Sequence, residues 1–317
     1  MSKKTSIGGQ AVIEGIMMKG PQKTALAVRV PDGSIDIEYI KEKHLRDKYK
    51  FFGLPIIRGT VNFIESMIIG YSAMMKSAEK SGFTDIEEEN NKKGEPQGKY
   101  GKLINVLMVL ASVLGVALGV FLFMYLPSLV FDLINRLTDG NLSSLKALIE
   151  GVLKLTVFLV YMILVARMKD IKRVFSYHGA EHKTIFCYEA GEELTIENVK
   201  KQSRFHPRCG TSFMVLMLTV GILLGIVLTW AFPVLRESSF RLAWVAIKIL
   251  SLPIICGIGF ELLKICGRHD NFLTRAIAAP GMWMQRITTN EPDDSMIELA
   301  IESLKAVKPE NEEEDNW

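Results

Sequence analysis

Two histidines and a glutamate that could bind a metal and activate water lie within the run from Tyr177 to Lys183. A helix would place His178 and His182 one turn apart on the same face, because they are four residues apart. Two neutral imidazoles in that position can bind one divalent metal, and Glu181 can act as general base on a water molecule. The order His-x-x-Glu-His is the inverted zinc-protease pattern. The run therefore predicts a zinc-dependent hydrolytic centre, and the alternative is a solvated helix with ordinary hydrogen-bonded histidines.

A second group of candidate ligands follows in a loop just before an apolar segment. His206 and Cys209 are three residues apart in this loop, and both side-chain types bind zinc. Cys209 would have to bind as a thiolate, and the neighbouring Arg204 and Arg208 favour that negative charge. The alternative is a Pro-Gly turn with arginines at the membrane interface. Both residues are candidates for the third metal ligand.

Glu261 is another candidate ligand, because it lies in an otherwise apolar segment. A carboxylate in hydrocarbon costs on the order of a few kcal/mol unless it meets a cation, a proton or a metal. Lys264 and Lys248 could pair with it, and protonation is the remaining alternative. Just beyond the segment, His269 and Asp270 form a further candidate pair in which the carboxylate would orient the imidazole.

The elements that must position these residues are set by four apolar blocks. The chain has 317 residues, of which 49% are hydrophobic, and its mean hydropathy is +0.21. Each block is long enough, or nearly so, to cross about 30 Å of hydrocarbon. We predict a mainly α-helical integral membrane protein with four spans, at Leu103 to Leu126, Val152 to Val165, Phe213 to Phe232 and Leu242 to Cys266.

The distribution of basic residues predicts the orientation of these spans. Residues 167–212, between the second and third spans, contain nine Lys and Arg residues, whereas residues 127–144 and 233–241 together contain three. By the positive-inside rule, residues 167–212 and both termini face the cytoplasm. The N-terminal residues lack the short apolar core of a cleavable signal peptide. We therefore expect a multi-pass protein of the cell membrane.

Composition also limits the partners and the redox chemistry. The net charge of +3 is small and dispersed, and no basic-aromatic platform occurs, so nucleic acid is not an expected partner. The four cysteines form no Cys-x-x-Cys pair, and a cytoplasmic location argues against disulfides. The expected partners are the lipid bilayer and a membrane protein or lipid substrate. The expected cofactor is a divalent metal ion, and zinc is the favoured one.

The N-terminal part of the chain reads as a cytosolic segment, residues 1–50, that contains a small β-hairpin. Apolar residues alternate on both sides of an Asp-Gly turn within residues 24–40, which is typical of a hairpin. Residues 8–21 are rich in glycine and are expected to make tight backbone turns. Glu14, in an apolar setting within them, is a further candidate for a ligand or a structural acid.

The rest of the chain divides by composition into four segments. Residues 51–84 predict an interfacial amphipathic helix in which Arg58 is an additional candidate site residue. Residues 85–102 read as a flexible linker, and residues 103–266 as the four-span membrane domain with its cytosolic His/Cys loop. Residues 267–317 predict a cytosolic amphipathic segment, a soluble helix and an acidic tail.

Six motifs are distributed along the chain: GGQAVIEG at residues 8–15, Arg58-Gly59, YHGAEHK at 177–183, HPRCGTSF at 206–213, PGMWMQR at 280–286 and EPDD at 291–294. Together these motifs resemble the bacterial YqhQ family almost from end to end. The resemblance implies a polytopic membrane protein of a family described as predicted metal-dependent enzymes. The histidines discussed above are the residues on which such a description would rest.

Three hypotheses about function follow. The first is a membrane-embedded, metal-dependent hydrolase in which Zn²⁺ is held by His178, His182 and a third ligand, with Glu181 as general base. The second is a non-catalytic scaffold, assembly factor or transporter with a structural His/Cys metal site, which would need four protein ligands. The third is a plain protein core with hydrogen-bonded histidines and no metal.

Overall fold

A computed structural model describes residues 4–41, 45, 49–83, 110, 113–232, 246–247, 249–269, 271–311 and 315. The predicted linker, residues 85–102, lies outside the described part of the chain. Two compact units are present. The first comprises Met1–Asp85, Val165–Val220 and Ile249–Trp317, and the second comprises Ile86–Leu164 and Gly221–Lys248.

The N-terminal residues form a four-stranded antiparallel sheet in the order β1-β2-β3-β4. The predicted hairpin is confirmed as β3 and β4. The glycine-rich stretch before it, for which we expected only tight turns, forms two further strands joined at Ile13 and Glu14. The reason is that Glu14 adopts a left-handed conformation, with φ of 49°, and so reverses the chain in two residues. The strands are β1 (Gly8–Val12), β2 (Gly15–Lys19), β3 (Thr24–Arg29) and β4 (Ile35–Ile40).

The helices follow from the apolar periodicity and the caps in the sequence. Thr195 and Asp293 cap two of them by accepting hydrogen bonds from backbone amides. Short 3₁₀ turns occur at Lys50–Gly53 and Ser143–Leu145. The helices are α1 (Ile57–Lys80), α2 (Val113–Leu137, with a π turn at Phe121–Tyr125), α3 (Lys146–Val165), α4 (Lys169–Glu189), α5 (Ile196–Lys201), α6 (Gly210–Ala231), α7 (Leu252–Arg268), α8 (Phe272–Thr288) and α9 (Asp294–Val307).

Both faces of the sheet are covered by helices of the first unit. One face packs on α4 and α9, with Met18, Tyr177 and Leu299 fully or almost fully buried between them. The other face packs on α1 through Val28 and Ala73. The sheet is therefore a central layer, and this packing fixes the orientation of α4, which carries the His-x-x-Glu-His run.

Three described helices are long and apolar enough to cross a membrane: α2, α3 and α6. Their side chains are largely exposed, as expected of helices that face lipid. The first of them, Val113–Leu137, overlaps the predicted span Leu103 to Leu126 and ends later than predicted, whereas residues 103–109, 111 and 112 lie outside the described part. Within the predicted fourth span, residues 242–245 and 248 are outside the described part, and α7 has 17 residues.

Candidate metal centre

Helix α4 brings the three residues of the predicted motif to one buried region. The rings of His178 and His182 lie on adjacent turns with their centroids 4.3 Å apart. His182 and Glu181 are 2% and 4% exposed, and His178 is partly buried. This burial arises because the sheet, α9 and the chain after α8 pack around α4.

Each histidine is oriented by a backbone carbonyl from another part of the chain. His178 Nδ1 lies 2.9 Å from the Thr288 carbonyl oxygen, and His182 Nδ1 lies 2.6 Å from the Arg204 carbonyl oxygen. A carbonyl oxygen can only accept, so Nδ1 must donate in both rings. The Nε2 atoms are then left to face the site, which is the arrangement typical of histidines that bind metals.

Cys209 completes a group of three donors that we call the His-His-Cys cluster (His178, His182 and Cys209). Its Sγ lies 3.1 Å from His178 Nε2, and one donor atom from each of the three residues lies within 4.8 Å of the other two. In a tetrahedral zinc site the donor atoms are separated by roughly 3.5 Å. Small side-chain movements would therefore bring the cluster to metal-binding distances.

The surroundings of Cys209 favour the thiolate. Burial would raise the pKa of this thiol, but the His178 and His182 imidazoles lower it well below its ordinary value. Cys209 also directly precedes α6, and the Thr211 amide donates to its Sγ at 3.4 Å, so the positive end of the helix dipole points at the sulfur. For His178, burial acts to lower the pKa, whereas Cys209 and Glu181 raise it to about 9.

Glu181 is a buried carboxylate at the edge of the His-His-Cys cluster. The Gly9 amide of β1 donates to it, whereas Glu181 Oε2 has no hydrogen-bond partner among the described residues. Burial raises the pKa of Glu181 above its usual value, against the opposing effect of His178 and His182. An orphaned buried carboxylate oxygen is costly. Its presence beside three metal-type donors fits a site built for a cation and a water molecule.

The close approach of β1 to α4 requires a glycine at position 9. A Cβ atom there would lie 2.8 Å from the Met17 carbonyl oxygen and 3.0 Å from Cδ of Glu181. Gly179 is a second such position, since its Cβ would lie 2.0 Å from the Asn290 carbonyl oxygen. Because Gly179, within the His-x-x-Glu-His run, has no side chain, the segment that follows Thr288 can pack closely against α4.

Helix α8 holds the loop that presents Cys209. The fully buried Gln285 side chain accepts a hydrogen bond from the His206 amide at 2.7 Å and donates to the His206 carbonyl oxygen at 2.7 Å. It also donates to Ser212 Oγ at 3.2 Å. Gly281 lies against Ser212, where a Cβ atom would come within 2.6 Å. The same helix therefore supplies the His178 anchor and the support of the Cys209 loop.

The structure places His206, a predicted candidate ligand, beside the cluster but facing another group. Its Nε2 lies 3.7 Å from Glu189 Oε2, and its ring packs on Phe186 with centroids 4.6 Å apart. Glu189 is bound in turn by the Arg208 guanidinium and by the Thr5 amide, the latter at 2.8 Å. His206 is thus part of a buried ion-pair network behind the loop.

The other predicted candidates lie in pairs away from the cluster or outside the described residues. Glu261 forms a bidentate ion pair with Arg58, at 2.7 and 2.6 Å, which joins α7 to α1. Glu14 binds Arg173 at 2.6 Å and accepts from the Tyr177 hydroxyl at 3.1 Å. His269 is exposed just after α7, and its predicted partner Asp270 lies outside the described part.

Sequence reasoning missed the supporting residues of the site. Thr288 and Arg204 act through their carbonyl oxygens, so no side-chain type could have pointed to them. Gln285 and the glycines at 9 and 179 act through close packing between distant segments. In the sequence, the only indication of a role for Gln285, Gly9 and Gly179 is that they lie within the motifs that resemble the YqhQ family.

These features define a class: an α-helical protein with three membrane-length helices in the described part of the chain, a small antiparallel sheet and a buried His-His-Cys cluster beside a glutamate. The chain belongs to the family described as protein of unknown function (DUF1385), whose model matches residues 54–310. It is 33% identical over 298 residues to the uncharacterized protein YqhQ of Bacillus subtilis (strain 168), which covers 94% of this chain and 90% of that protein. These matches confirm the resemblance expected from the motifs. No solved structure matches.

Proposed function

We propose that the chain is a membrane-embedded, metal-dependent hydrolase that holds a divalent metal, zinc above all, on the His-His-Cys cluster. One observation carries the proposal: two imidazoles oriented through Nδ1 and a thiol converge within 4.8 Å beside a buried carboxylate, one oxygen of which has no partner among the described residues. An ordinary hydrophobic core is not expected to contain two imidazoles, a thiol and a carboxylate together, since burial of each polar group costs free energy.

The proposed roles follow from the donor set. When bound, the metal supplies Lewis-acid activation of water. Glu181 would accept a proton from water through Oε2, and its raised pKa makes it a stronger base than an exposed carboxylate. Cys209 and the two histidines would hold the metal as three protein ligands, which is the number typical of catalytic zinc sites. Among the described residues His206 faces Glu189 instead, which favours the catalytic site over a structural one with four protein ligands.

The position of Cys209 indicates where the substrate would approach. It stands immediately before α6, a membrane-length helix of 22 residues. Its sulfur would therefore lie at the boundary between hydrocarbon and water. We infer that the substrate is a peptide bond of a membrane protein or a lipid head group, reached from the cytosolic side.

We also infer four crossings with both termini in the cytoplasm. The N-terminal sheet, α4 and α9 pack into one unit, so their segments must lie on one side of the membrane. An even number of crossings is then needed both between the sheet and α4 and between α4 and α9. Helices α2 and α3 supply the first pair. Helix α6 and a return through the predicted fourth span, Leu242 to Cys266, would supply the second.

Metal analysis of the detergent-purified protein tests the site. We expect about one zinc per chain in the wild type, loss of most of it in His178→Ala and Cys209→Ala, and retention in Glu181→Gln. His206→Asn is the matched control, because it removes a neighbouring buried imidazole that faces Glu189. Metal-free wild type, or equal loss in His206→Asn, would contradict the assignment of the ligands.

Hydrolysis by the reconstituted protein tests the reaction. Fluorogenic amide, ester and phosphodiester probes anchored in nanodiscs distinguish the bond that is cleaved. Glu181→Gln should reduce the rate at least about a hundredfold while zinc stays bound, because a positioned base contributes about 10²–10⁴-fold. A rate unchanged by Glu181→Gln would leave a structural metal site in a scaffold, an assembly factor or a transporter as the better description.

A further inference from the structure

Helix α8 has two opposed faces. The buried face carries Thr274, Gly281, Gln285 and Thr288, and it supports the metal centre. The opposite face is exposed and apolar: Phe272 is 88% exposed and Trp283 is 65% exposed. These two aromatic residues are eleven apart, about three turns at 3.6 residues per turn, so they share one stripe.

Basic residues border this stripe on one side. Arg275 and Arg286 are also eleven residues apart and are both exposed, so they form a parallel row beside the aromatic stripe. Helix α8 itself contains no acidic residue, and the nearest ones along the chain are Asp270 and Glu291. An exposed helix with an aromatic stripe and an arginine border is the pattern of a helix that lies on an anionic membrane surface.

The packing of α8 sets its depth relative to the membrane. Gly281 lies against Ser212, in the first turn of the membrane-length helix α6. The first turn of a membrane-length helix lies near the level where hydrocarbon gives way to phosphates. Helix α8 is therefore held beside that level, with Phe272 and Trp283 pointing away from the protein core.

The start of α8 is also held rigidly. Asn271 and Thr274 form a reciprocal capping box, in which the Asn271 side chain accepts from the Thr274 amide at 2.9 Å. The Thr274 hydroxyl also donates to the His269 carbonyl oxygen at 2.9 Å. Phe272 and Leu273 are thus exposed in the capped first turn of α8, and Arg268 is exposed at the end of α7.

We propose that α8 is a binding site for anionic lipid, in which Phe272 and Trp283 enter the interface and Arg275 and Arg286 bind lipid phosphates. A second part of the proposal rests on the proposed function. Because Thr288 and Gln285 on the buried face position His178 and the Cys209 loop, binding of anionic lipid to α8 should strengthen zinc binding at the His-His-Cys cluster.

Quenching of Trp283 fluorescence by brominated lipid tests the lipid site. The full chain with Trp230, Trp244 and Trp317 changed to Phe is placed in phosphatidylcholine nanodiscs that contain a minor fraction of brominated lipid. We expect quenching by brominated phosphatidylglycerol to exceed quenching by brominated phosphatidylcholine at the same fraction. The preference should fall about fivefold for each arginine removed in Arg275→Gln and Arg286→Gln. Arg136→Gln, which changes an exposed arginine in the last turn of α2, is the control.

Each outcome bears on the proposal. Absence of quenching by either lipid would overturn the lipid site, and cross-linking through α8 would then identify a second copy of the chain as the occupant. Equal quenching by both lipids, or an unchanged preference in the arginine variants, would overturn the selectivity for anionic lipid.

Zinc affinity, measured by competition with a chromophoric chelator in nanodiscs with and without phosphatidylglycerol, tests the second part. We expect tighter binding with the anionic lipid in the wild type and no difference in the double arginine variant. Equal affinity in both lipids would overturn the coupling and leave the lipid site. Absence of zinc in both would overturn the proposed function, whereas the quenching result would stand.

Discussion

The roles of His178 and His182 depend on Nδ1, the ring nitrogen that does not face the cluster. Each Nδ1 donates to a backbone carbonyl oxygen, at 2.9 and 2.6 Å, so rotation of either ring would leave a buried polar group unpaired. Nε2 is therefore fixed toward Cys209 before any ligand arrives. Such preorganisation lowers the free-energy cost of binding, because little side-chain freedom remains to be lost.

Glu189 and Arg208 form a buried ion pair that supports the Cys209 loop, and Glu189→Gln tests its contribution. Breaking a buried pair leaves an uncompensated charge, so the variant should lose about 3 kcal/mol at neutral pH. Glu298→Gln is the control, since Glu298 pairs with Arg29 but is 53% exposed and should lose less than about 1 kcal/mol. Thermal unfolding in detergent measures both losses.

The pH dependence of the same pair has a definite sign. Burial would raise the pKa of Glu189, but His206, Arg208 and the Thr5 amide lower it below the ordinary 4.5. A carboxylate with a lowered pKa stabilises the fold above its unfolded pKa and loses that contribution as the pH falls below it. The difference in unfolding midpoint between wild type and Glu189→Gln should therefore shrink below about pH 4.5. A difference that grows in acid would contradict this role.

At the scale of elements, α4 lies in close contact with the connection between α8 and α9. Its Gly179 faces the chain between α8 and α9, which is tied to α4 by a hydrogen bond from the Asn290 amide to the Phe175 carbonyl oxygen at 2.9 Å. Thr288, which anchors His178, is only two residues earlier. The spacing between α4 and this connection thus decides whether the anchor reaches the imidazole.

Gly179→Ala should disrupt that spacing. The new Cβ would lie 2.0 Å from the Asn290 carbonyl oxygen, and relief requires backbone movement that costs about 1–3 kcal/mol or more. Gly225→Ala in α6 is the matched control, because no described residue lies within 4 Å of its Cβ and alanine favours a helix over glycine by about 1 kcal/mol. The unfolding midpoint and the zinc affinity should fall in Gly179→Ala alone. Equal effects in the two variants would contradict the argument.

At the scale of the whole molecule, the first unit is assembled from three separate stretches of chain. Its sheet, α4 and α9 share one hydrophobic core. Residues from both ends of the chain also meet, since the Thr5 hydroxyl donates to buried Asp315 at 2.6 Å. Asp315 belongs to the predicted acidic tail, which a charge run alone would place in solvent, yet its side chain is fully buried.

Cysteine labelling tests the inferred orientation of this unit. Asp32→Cys in the β3–β4 turn and Lys305→Cys in α9 should react with a membrane-impermeant maleimide only after spheroplasts are permeabilised. Asn141→Cys, between α2 and α3, should react in intact spheroplasts. All three positions are exposed, and the four native cysteines are buried and should react slowly. Reaction of Asp32→Cys and Lys305→Cys from opposite sides would contradict the four crossings.

The sequence by itself determined the elements and the core of the site. Apolar blocks and apolar periodicity depend on neighbouring residues, so the membrane-length helices, the β3–β4 hairpin and α9 could all be predicted. The pairing of His178 with His182 also followed from local spacing, because one helical turn separates them. The Thr195 cap of α5 is likewise a local feature, since its side chain accepts from the amide of Asn198, three residues later.

Only the tertiary structure decided which distant groups join these histidines. Cys209, His206 and Glu261 were equal candidates by residue type, yet Cys209 lies against His178, whereas His206 faces Glu189 and Glu261 pairs with Arg58. The choice depends on how α8 packs on α4 and α6 through glycines and a buried amide. These contacts join residues about a hundred positions apart, and local sequence patterns hold no information on such distances.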